Sequence, residues 1–223
     1  RVILFYRCTK HTVWGMTETA ASGAYLPFEQ CAQFPGSIGR PFAHIEARVV
    51  EPGTLNEVEE GQPGELAVRG PSVVDSYWHG AEYTSESFLT GWLLTGDLVV
   101  VTPGGTLTVT GRLADRIMTG GEGVMPGEVE EVLRQYPGVK DAVVCGIPDD
   151  IWGERIAAAL VMADDAVVPS LSDIQAFAAT ILARYKLPRS VHFIAEVPLN
   201  SANKVNRAAI REALWTQLHP PQD

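Results

Sequence analysis

The sequence is poor in cysteine. Three thiols, Cys8, Cys31 and Cys145, are scattered over 223 residues. An odd count at wide spacing excludes a disulfide framework, and no zinc-ligand set emerges. Cys8 and His11 are close in sequence, but no second pair completes a metal site. Free thiols point to a reducing compartment, so a cytoplasmic protein is expected. Long apolar runs are missing too. The longest, 156–163, has the length of a strand, far short of the roughly 18 residues that a membrane span needs. No secretory signal pattern opens the chain. Positive charge is scarce: 17 Lys and Arg stand against 27 Asp and Glu, a formal net charge of -10. That balance lacks the clustered cations a nucleic-acid backbone requires, so no nucleic-acid partner is expected. A local basic pocket for a single nucleotide is compatible with it.

What is present is enough apolar material for a packed core, 46% of the residues, which excludes general disorder. The first half reads as β-rich. Short apolar or β-branched runs at 45–50, 65–69, 93–101 and 106–110 are separated by turn signals, Pro52-Gly53, Gly61-Gln62-Pro63-Gly64 and Pro103-Gly104-Gly105. The last of these predicts a hairpin. This half suggests a small barrel or a distorted sheet. A strand-like run at 2–6 has no partner before it, which predicts that the chain is a piece of a longer one.

After Arg112 the pattern changes. A helix is predicted over 126–136, with Pro126 in its first turn, Glu128, Glu130 and Glu131 near its positive end, and Val129, Val132 and Leu133 on one face. Strands follow at 139–147 and 155–162, then a helix at 172–185 capped by Ser172, a strand at 191–197, and a helix over 207–218 capped by Asn206. The expected architecture is α+β. Residues 1–113 form a β-rich part and residues 114–223 a compact mixed α/β domain.

The common nucleotide signatures fail. There is no G-x-x-x-x-G-K-[ST] loop and no G-x-S-x-G elbow. Gly121-Glu122-Gly123 begins like a dinucleotide fingerprint, but Pro126 occupies the place of its third glycine. Four polar islands remain. Trp14-Gly15-Met16-Thr17-Glu18-Thr19 joins a flat aromatic, a close-approach glycine, a hydroxyl and a carboxylate, a set suited to a base, a phosphate and a magnesium ion. Its plain alternative is a loop with a helix cap. Thr95-Gly96-Asp97-Leu98 places a carboxylate before a buried-looking strand, where it suits ribose hydroxyls or serves as a simple turn residue. Gly111-Arg112-Leu113-Ala114-Asp115-Arg116, with Gly120, Gly121, Glu122 and Gly123 beyond it, reads as a passage for a narrow ligand or as an interdomain linker. Asn200-Ser201-Ala202-Asn203-Lys204 holds a lysine on a tight turn, able to bring fixed charge to an anion, or merely solvated.

In this order and spacing the islands resemble the successive core motifs of the adenylate-forming superfamily, which includes acyl-CoA synthetases, adenylation domains and luciferases. Gly36-Ser37-Ile38-Gly39-Arg40-Pro41, Gly64-Glu65-Leu66, Gly146-Ile147-Pro148-Asp149 with Gly153-Glu154, and Tyr185-Lys186-Leu187-Pro188 extend the resemblance from Val13 onward. The match is most similar to acyl- or aryl-CoA ligases, such as 4-chlorobenzoate-CoA ligase. It implies a reaction in which a carboxylic acid attacks ATP to give an acyl-adenylate and the thiol of CoA then displaces AMP, the C-terminal domain rotating between the two steps.

The resemblance also implies roles. Trp14, where the family more often has Tyr, would stack on adenine in a loop with Gly15 and Met16. Thr17 would contact phosphate and Glu18 would help hold Mg2+. Asp97 and Arg112 would take the ribose. Lys204 would be catalytic in the first step, bridging carboxylate and phosphate. Gly120, Gly121 and Glu122 would line the CoA passage, and Ala114 would stand at the hinge, where Asp or Lys is common. Asn203 replaces the usual Gly before the lysine. The family's phosphate loop and most of its acid pocket would precede this chain, which would pack against them and be inactive alone. Two other readings stand beside a ligase for CoA: an adenylation domain that loads a carrier protein, and a non-catalytic binding module, against which the intact Glu18, Asp97 and Lys204 argue.

Overall fold

The structure, a computed structural model, describes residues 11–80, 84, 86–201 and 203–218. The strand expected over 2–6, Cys8 and Ala202 lie outside the described residues. The chain divides into two compact units between Ala114 and Asp115.

The first unit is a sheet. Its strands are β1 (Thr12–Trp14), β2 (Ala24–Leu26), β3 (Ser37–Pro41), β4 (Glu46–Val50), β5 (Gly64–Arg69), β6 (Phe88–Leu89), β7 (Trp92–Thr102) and β8 (Thr106–Arg112), and a short helix, α1 (Phe28–Cys31), lies between β2 and β3. They run in the order β1-β2-β3-β8-β7-β5-β4, and β6 pairs with β7. Ile45, Val49, Leu66, Val68, Leu93, Val99 and Leu107 form its core, with Trp14 and Met16 packed against it. The hairpin expected at Pro103-Gly104-Gly105 joins β7 to β8. Thr102 and Thr106 face each other, and Gly104 and Gly105 take the positive φ values, 99° and 75°, that the turn needs.

One irregularity positions the site. Glu65 pairs with Leu98 and Ala67 with Leu94. A single residue of β5, Leu66, therefore stands opposite Thr95, Gly96 and Asp97. The surplus in β7 makes a bulge, which redirects side chains and strengthens local twist. It is held from below: Thr95 Oγ1 donates to Leu66 O at 2.7 Å, and the buried Glu65 carboxylate accepts Gly96 N–H at 2.9 Å and Gly53 N–H at 3.1 Å.

The second unit comprises β9 (Ile117–Thr119), β10 (Glu122–Val124), α2 (Pro126–Leu133), β11 (Val139–Asp149), β12 (Gly153–Met162), α3 (Leu171–Ala178), β13 (Ser190–Phe193) and α4 (Arg207–Leu218). The sheet order is β10-β9-β12-β11, with β13 parallel to β12. Both faces are covered. Ala142, Val144, Ile156, Ala158 and Leu160 meet residues of α2 and α3. Val143, Cys145, Ile147, Ala157 and Ala159 meet Ile210 and Leu214 of α4. Burial on both faces explains why β11 and β12 read as unbroken apolar runs rather than alternating ones.

The fold is α+β, as expected, but several elements differ in detail. Ser170, not Ser172, caps α3: Asp173 N–H donates to its Oγ at 3.2 Å, and Asp173 Oδ2 accepts Ser170 N–H at 2.9 Å, a reciprocal capping box. That helix stops at Ala178 instead of 185. A separate 3-10 turn spans Arg184–Lys186, and Leu187, constrained by Pro188, is extended with ψ 135°. The strand expected to 197 ends at Phe193, and the helix expected to 136 ends at Leu133. The glycine-rich stretch at 119–123, read as a loop, is the tip of a β9–β10 hairpin. α4 matches its expected bounds, and Asn206 Oδ1 accepts Ala209 N–H at 3.1 Å.

Candidate functional site

The loop leaving β1 is closed tightly on itself. Ala21 N–H donates to Met16 O at 2.9 Å, Gly23 N–H to Trp14 O at 3.0 Å, and Met16 N–H to Thr19 Oγ1 at 3.0 Å. Ala20 and Ala21 take left-handed φ values of 52° and 58°, a strain of about 1–3 kcal/mol each that the loop closure sustains. Gly15 has no room for a side chain, because a Cβ there would lie 2.3 Å from Ala21 C. The result is a rigid turn that presents Thr17 to solvent and Glu18 at its edge.

Glu18 is not free. Its Oε1 accepts the Tyr77 hydroxyl at 2.8 Å. Burial, and then the carboxylate beside it, push the Tyr77 phenol above its ordinary pKa. Glu18 and Tyr77 share the wall of a cleft of about 400 Å³ with Met16, Thr95, Gly96 and Arg112. The wall is acid-rich, since Glu65 and Glu86 also line it and Arg112 is its one cation among the described residues. Glu65 is committed to backbone N–H groups, so Glu18 and Glu86 set the local field.

Asp97 stands behind this wall, opposite Arg112 in the β7–β8 register. It is 5% exposed. Its Oδ1 accepts Arg112 Nε at 2.6 Å and its Oδ2 accepts the indole Nε1–H of Trp14 at 2.8 Å. Arg112 Nη1 also donates to Thr95 O at 3.3 Å. Trp14, Asp97 and Arg112, from the first, second and third of the polar islands, are therefore brought into one chain of bonds. The Trp14 ring rests on Gly23, where a Cβ would come within 2.2 Å of it.

The remaining predicted residues belong to the second unit or to the boundary. Lys204 sits on a small closed turn. Leu199 bridges Val205, Asn200 N–H donates to Lys204 O at 2.7 Å, and Lys204 N–H donates to Asn200 Oδ1 at 3.0 Å. Asn203 takes the left-handed φ of 58° that its sequence position invites. The Lys204 ammonium is exposed and has no ion-pair partner among the described residues. Gly120 and Gly121, with φ 60° and 85°, make the two-residue turn between Thr119 and Glu122. Gly120 N–H donates to Trp152 O at 2.8 Å, which ties the hairpin tip to the 149–153 turn. Ala114 lies in a 3-10 turn, Leu113–Asp115, at the division between the units.

Sequence reasoning assigned no role to Tyr77, and no motif pointed to it. It also missed a second cleft, of about 370 Å³, lined by Trp152, Gln175, Arg184, Leu187 and Arg189. There the Arg189 guanidinium lies 4.1 Å over the Trp152 ring. The signal was present in Gly153-Glu154 and Tyr185-Lys186-Leu187-Pro188, but only as resemblance, without chemistry attached.

Two family models match the chain: "AMP-binding enzyme" over residues 3–78 and "AMP-binding enzyme C-terminal domain" over residues 128–204. The chain belongs to the AMP-binding enzymes. Among curated relatives of this AMP-binding chain, the long-chain-fatty-acid–CoA ligase FadD13 of Mycobacterium tuberculosis is 37% identical over 199 residues, 89% of this chain and 39% of that protein. The fatty acid–[acyl-carrier-protein] ligase ScoC of Streptomyces coeruleorubidus is 35% identical over 213 residues, 93% of this chain and 40% of that protein. ATP-bound MatB from Rhodopseudomonas palustris superposes with a TM-score of 0.85 at 31% identity, over 92% of this chain and 40% of that one. The AMP-binding chain thus spans well under half the length of the relatives it matches.

Proposed function

We propose that the protein is an ATP-dependent acid–thiol ligase that makes an acyl-adenylate and passes the acyl group to CoA. The observation that carries this reading is the cleft at which Glu18, Tyr77 and Arg112 meet, backed by the Trp14–Asp97–Arg112 chain. In the first step a carboxylate oxygen attacks the α-phosphorus of ATP, the bond to the bridging oxygen breaks, and pyrophosphate leaves. In the second, a thiol sulfur attacks the acyl carbon, the acyl–oxygen bond breaks, AMP leaves, and the thiol proton passes to solvent.

The residues divide the work by their chemistry. Arg112 and Asp97 offer a donor and an acceptor to the sugar. Each Asp97 oxygen already accepts one bond from the protein and keeps a second acceptor site for a hydroxyl. Trp14, with Gly15 and Met16, is assigned to the base. Thr17, exposed on the rigid turn, suits a phosphate oxygen. An acid-rich wall cannot hold a triphosphate unaided, so the donor set calls for a cation that brings its own phosphate ligands. A single carboxylate, Glu18, fits Mg2+, which binds through one or two carboxylates plus substrate phosphates. That ion supplies charge neutralisation at the phosphates. Lys204 brings positive charge to the α-phosphate as negative charge develops there. Gly120, Gly121 and Glu122 are assigned to the thiol arm. The Trp152–Arg184–Arg189 cleft adds a flat ring and two guanidiniums, suited to the phosphate-bearing end of a nucleotide-linked thiol.

The similarity to ScoC favours one alternative, a carrier-protein thiol as acceptor in place of CoA. The complete protein, given ATP, magnesium and a panel of aliphatic and aromatic acids, should release pyrophosphate only when an acid is present. Supplying CoA or a phosphopantetheinylated carrier protein then decides the acceptor. No acid-dependent pyrophosphate release with any member of the panel overturns the ligase reading.

A further inference from the structure

We infer that Trp14 is a positioning residue that sets how the nucleotide sugar is read, acting through the Asp97 carboxylate. The inference rests on the assignment of the first unit's cleft to ATP and goes beyond it, since the role given to Trp14 above is only that of a flat surface for the base. The structure shows the indole doing something a flat surface does not. Its Nε1–H reaches across from β1 to the Asp97 Oδ2 on β7 at 2.8 Å.

Three features fix that contact. The loop behind Trp14 is closed by the Gly23 N–H to Trp14 O bond at 3.0 Å. Gly23 gives the ring a seat that no larger residue allows. Asp97 is aimed by the β7 bulge, its own N–H donating to Thr95 Oγ1 at 3.2 Å. Arg112 holds Oδ1 at 2.6 Å from the opposite side. With Trp14 on one oxygen and Arg112 on the other, the carboxylate plane is set by two donors of fixed geometry. Both free acceptor sites then have defined directions. Indole N–H donates and cannot accept, so a sugar hydroxyl finds its acceptor at the carboxylate and not at the ring nitrogen. A phenylalanine ring lacks the donor altogether. A tyrosine ring has a hydroxyl that is both donor and acceptor, at a different place on the ring.

Loss of the indole N–H frees rotation of the carboxylate about its Cβ–Cγ bond. The specific loss then falls on ligands with ribose hydroxyls, while stacking on the base is kept by an aromatic replacement. The readout is the preference for ATP over 2′,3′-dideoxy-ATP, measured as the ratio of kcat/KM values for acid-dependent pyrophosphate release by the complete protein. In Trp14→Phe that ratio should fall about tenfold or more, the scale of one hydrogen bond to a charged group. Trp14→Tyr and Gly23→Ala, which leaves the indole but pushes its ring off its seat, should lower it in the same direction. If both nucleotides weaken equally in these variants, Trp14 is only a stacking or packing residue and the inference is overturned. Should the variants fail to fold, the wild-type protein decides: base stacking moves the Trp14 indole N–H resonance with either nucleotide, but ATP should move it clearly further than the dideoxy analogue does at saturation, and an equal shift with both overturns the inference. A wild-type protein that uses neither nucleotide refutes the ligase reading instead, a separate outcome.

Discussion

Arg207, in the first turn of α4, grips the buried carboxylate of Glu130 on α2 with two donors: Nη1 bonds Oε1, and Nη2 bonds Oε2 at 3.2 Å. Glu130 is 4% exposed and also accepts Val144 N–H at 2.8 Å. Arg207 Nη1 donates to Val144 O at 2.9 Å, and its Nε lies 3.7 Å from Asp115 Oδ2. One arginine thus ties α4, α2, β11 and the start of the second unit together, three residues past Lys204.

Removing one partner of such a pair leaves a buried charge with too few partners. Arg207→Ala is expected to destabilise the second unit by about 3–5 kcal/mol, far more than loss of a surface pair, which is worth at most about 1 kcal/mol. Arg134, 3.5 Å from Glu130 Oε2, offsets only part of it. Hydrogen exchange of the 139–149 segment should accelerate, since the Val144 amide loses its acceptor geometry. By contrast Glu46→Gln, which breaks the exposed pair with Arg69 and leaves Arg69 on the Trp92 ring, should change the melting temperature little.

Cys145 gives a pH dependence with a definite sign. Burial pushes its thiol from 9.0 up to about 11. The folded state holds this proton more tightly than the unfolded one. Its contribution to stability is therefore full below about pH 9 and is lost as pH rises towards 11. Two pH units correspond to about 2–3 kcal/mol. Denaturant midpoints at pH 8 and at pH 10.5 should differ in the wild type, and the difference should shrink in Cys145→Ala. An identical slope in both proteins would show that the thiol is not the titrating group.

The α+β architecture was legible because burial leaves period and punctuation in a sequence. The Pro103-Gly104-Gly105 turn, the Asn206 cap and the left-handed Asn203 all follow from single-residue backbone preferences. What escaped depends on partners far along the chain. The choice of Ser170 over Ser172 hinges on which residue has an Asp three places on, and the pair Ser170–Asp173 was in view but unread. The bulge at Thr95–Asp97 has one local mark, Gly96 inside the strand with φ 70°, but its place opposite Leu66 is defined only by another strand. The same holds for the site. Asp97 and Arg112 were picked out singly, but that Trp14 donates to Asp97, 83 residues away, and that Tyr77 holds Glu18, needed the fold.

Lys204 is proposed to act only while charge builds at the α-phosphate. Lys204→Ala in the complete protein should slow adenylate formation by about 10²-fold or more, the scale seen when one preorganised positive or donor group is removed. Thioester formation from supplied acyl-adenylate should stay near the wild-type rate. Single-turnover measurements of each half-reaction separate the two, and equal loss in both would assign Lys204 to structure. The closed turn around it uses the Lys204 backbone, whose O accepts Asn200 N–H and whose N–H donates to Asn200 Oδ1, and does not use the ammonium, so the variant should fold.

If the second unit offers the Lys204 turn in one half-reaction and the Gly120–Gly121 turn in the other, the connection between the units must change its dihedrals. Ala114 is the residue at which the units divide, inside the 3-10 turn Leu113–Asp115. Proline there fixes φ near −65° and excludes Leu113 from most of the α region. A chain that alternates between two conformations tolerates that restriction in one of them and not in the other. Ala114→Pro is therefore expected to keep adenylate formation close to the wild-type rate and to lower thioester formation by at least about tenfold, since a barrier or offset of about 1.4 kcal/mol already costs that much. Arg112→Lys would lower nucleotide use in the first step, so the two variants should fail in different half-reactions. The measurement is the pair of single-turnover rates, pyrophosphate release with acid and ATP, then thioester formation with isolated acyl-adenylate and CoA. Wild-type rates in both would move the hinge away from Ala114. Loss of both in equal measure would mean that proline disrupts the 3-10 turn itself rather than the exchange between two states.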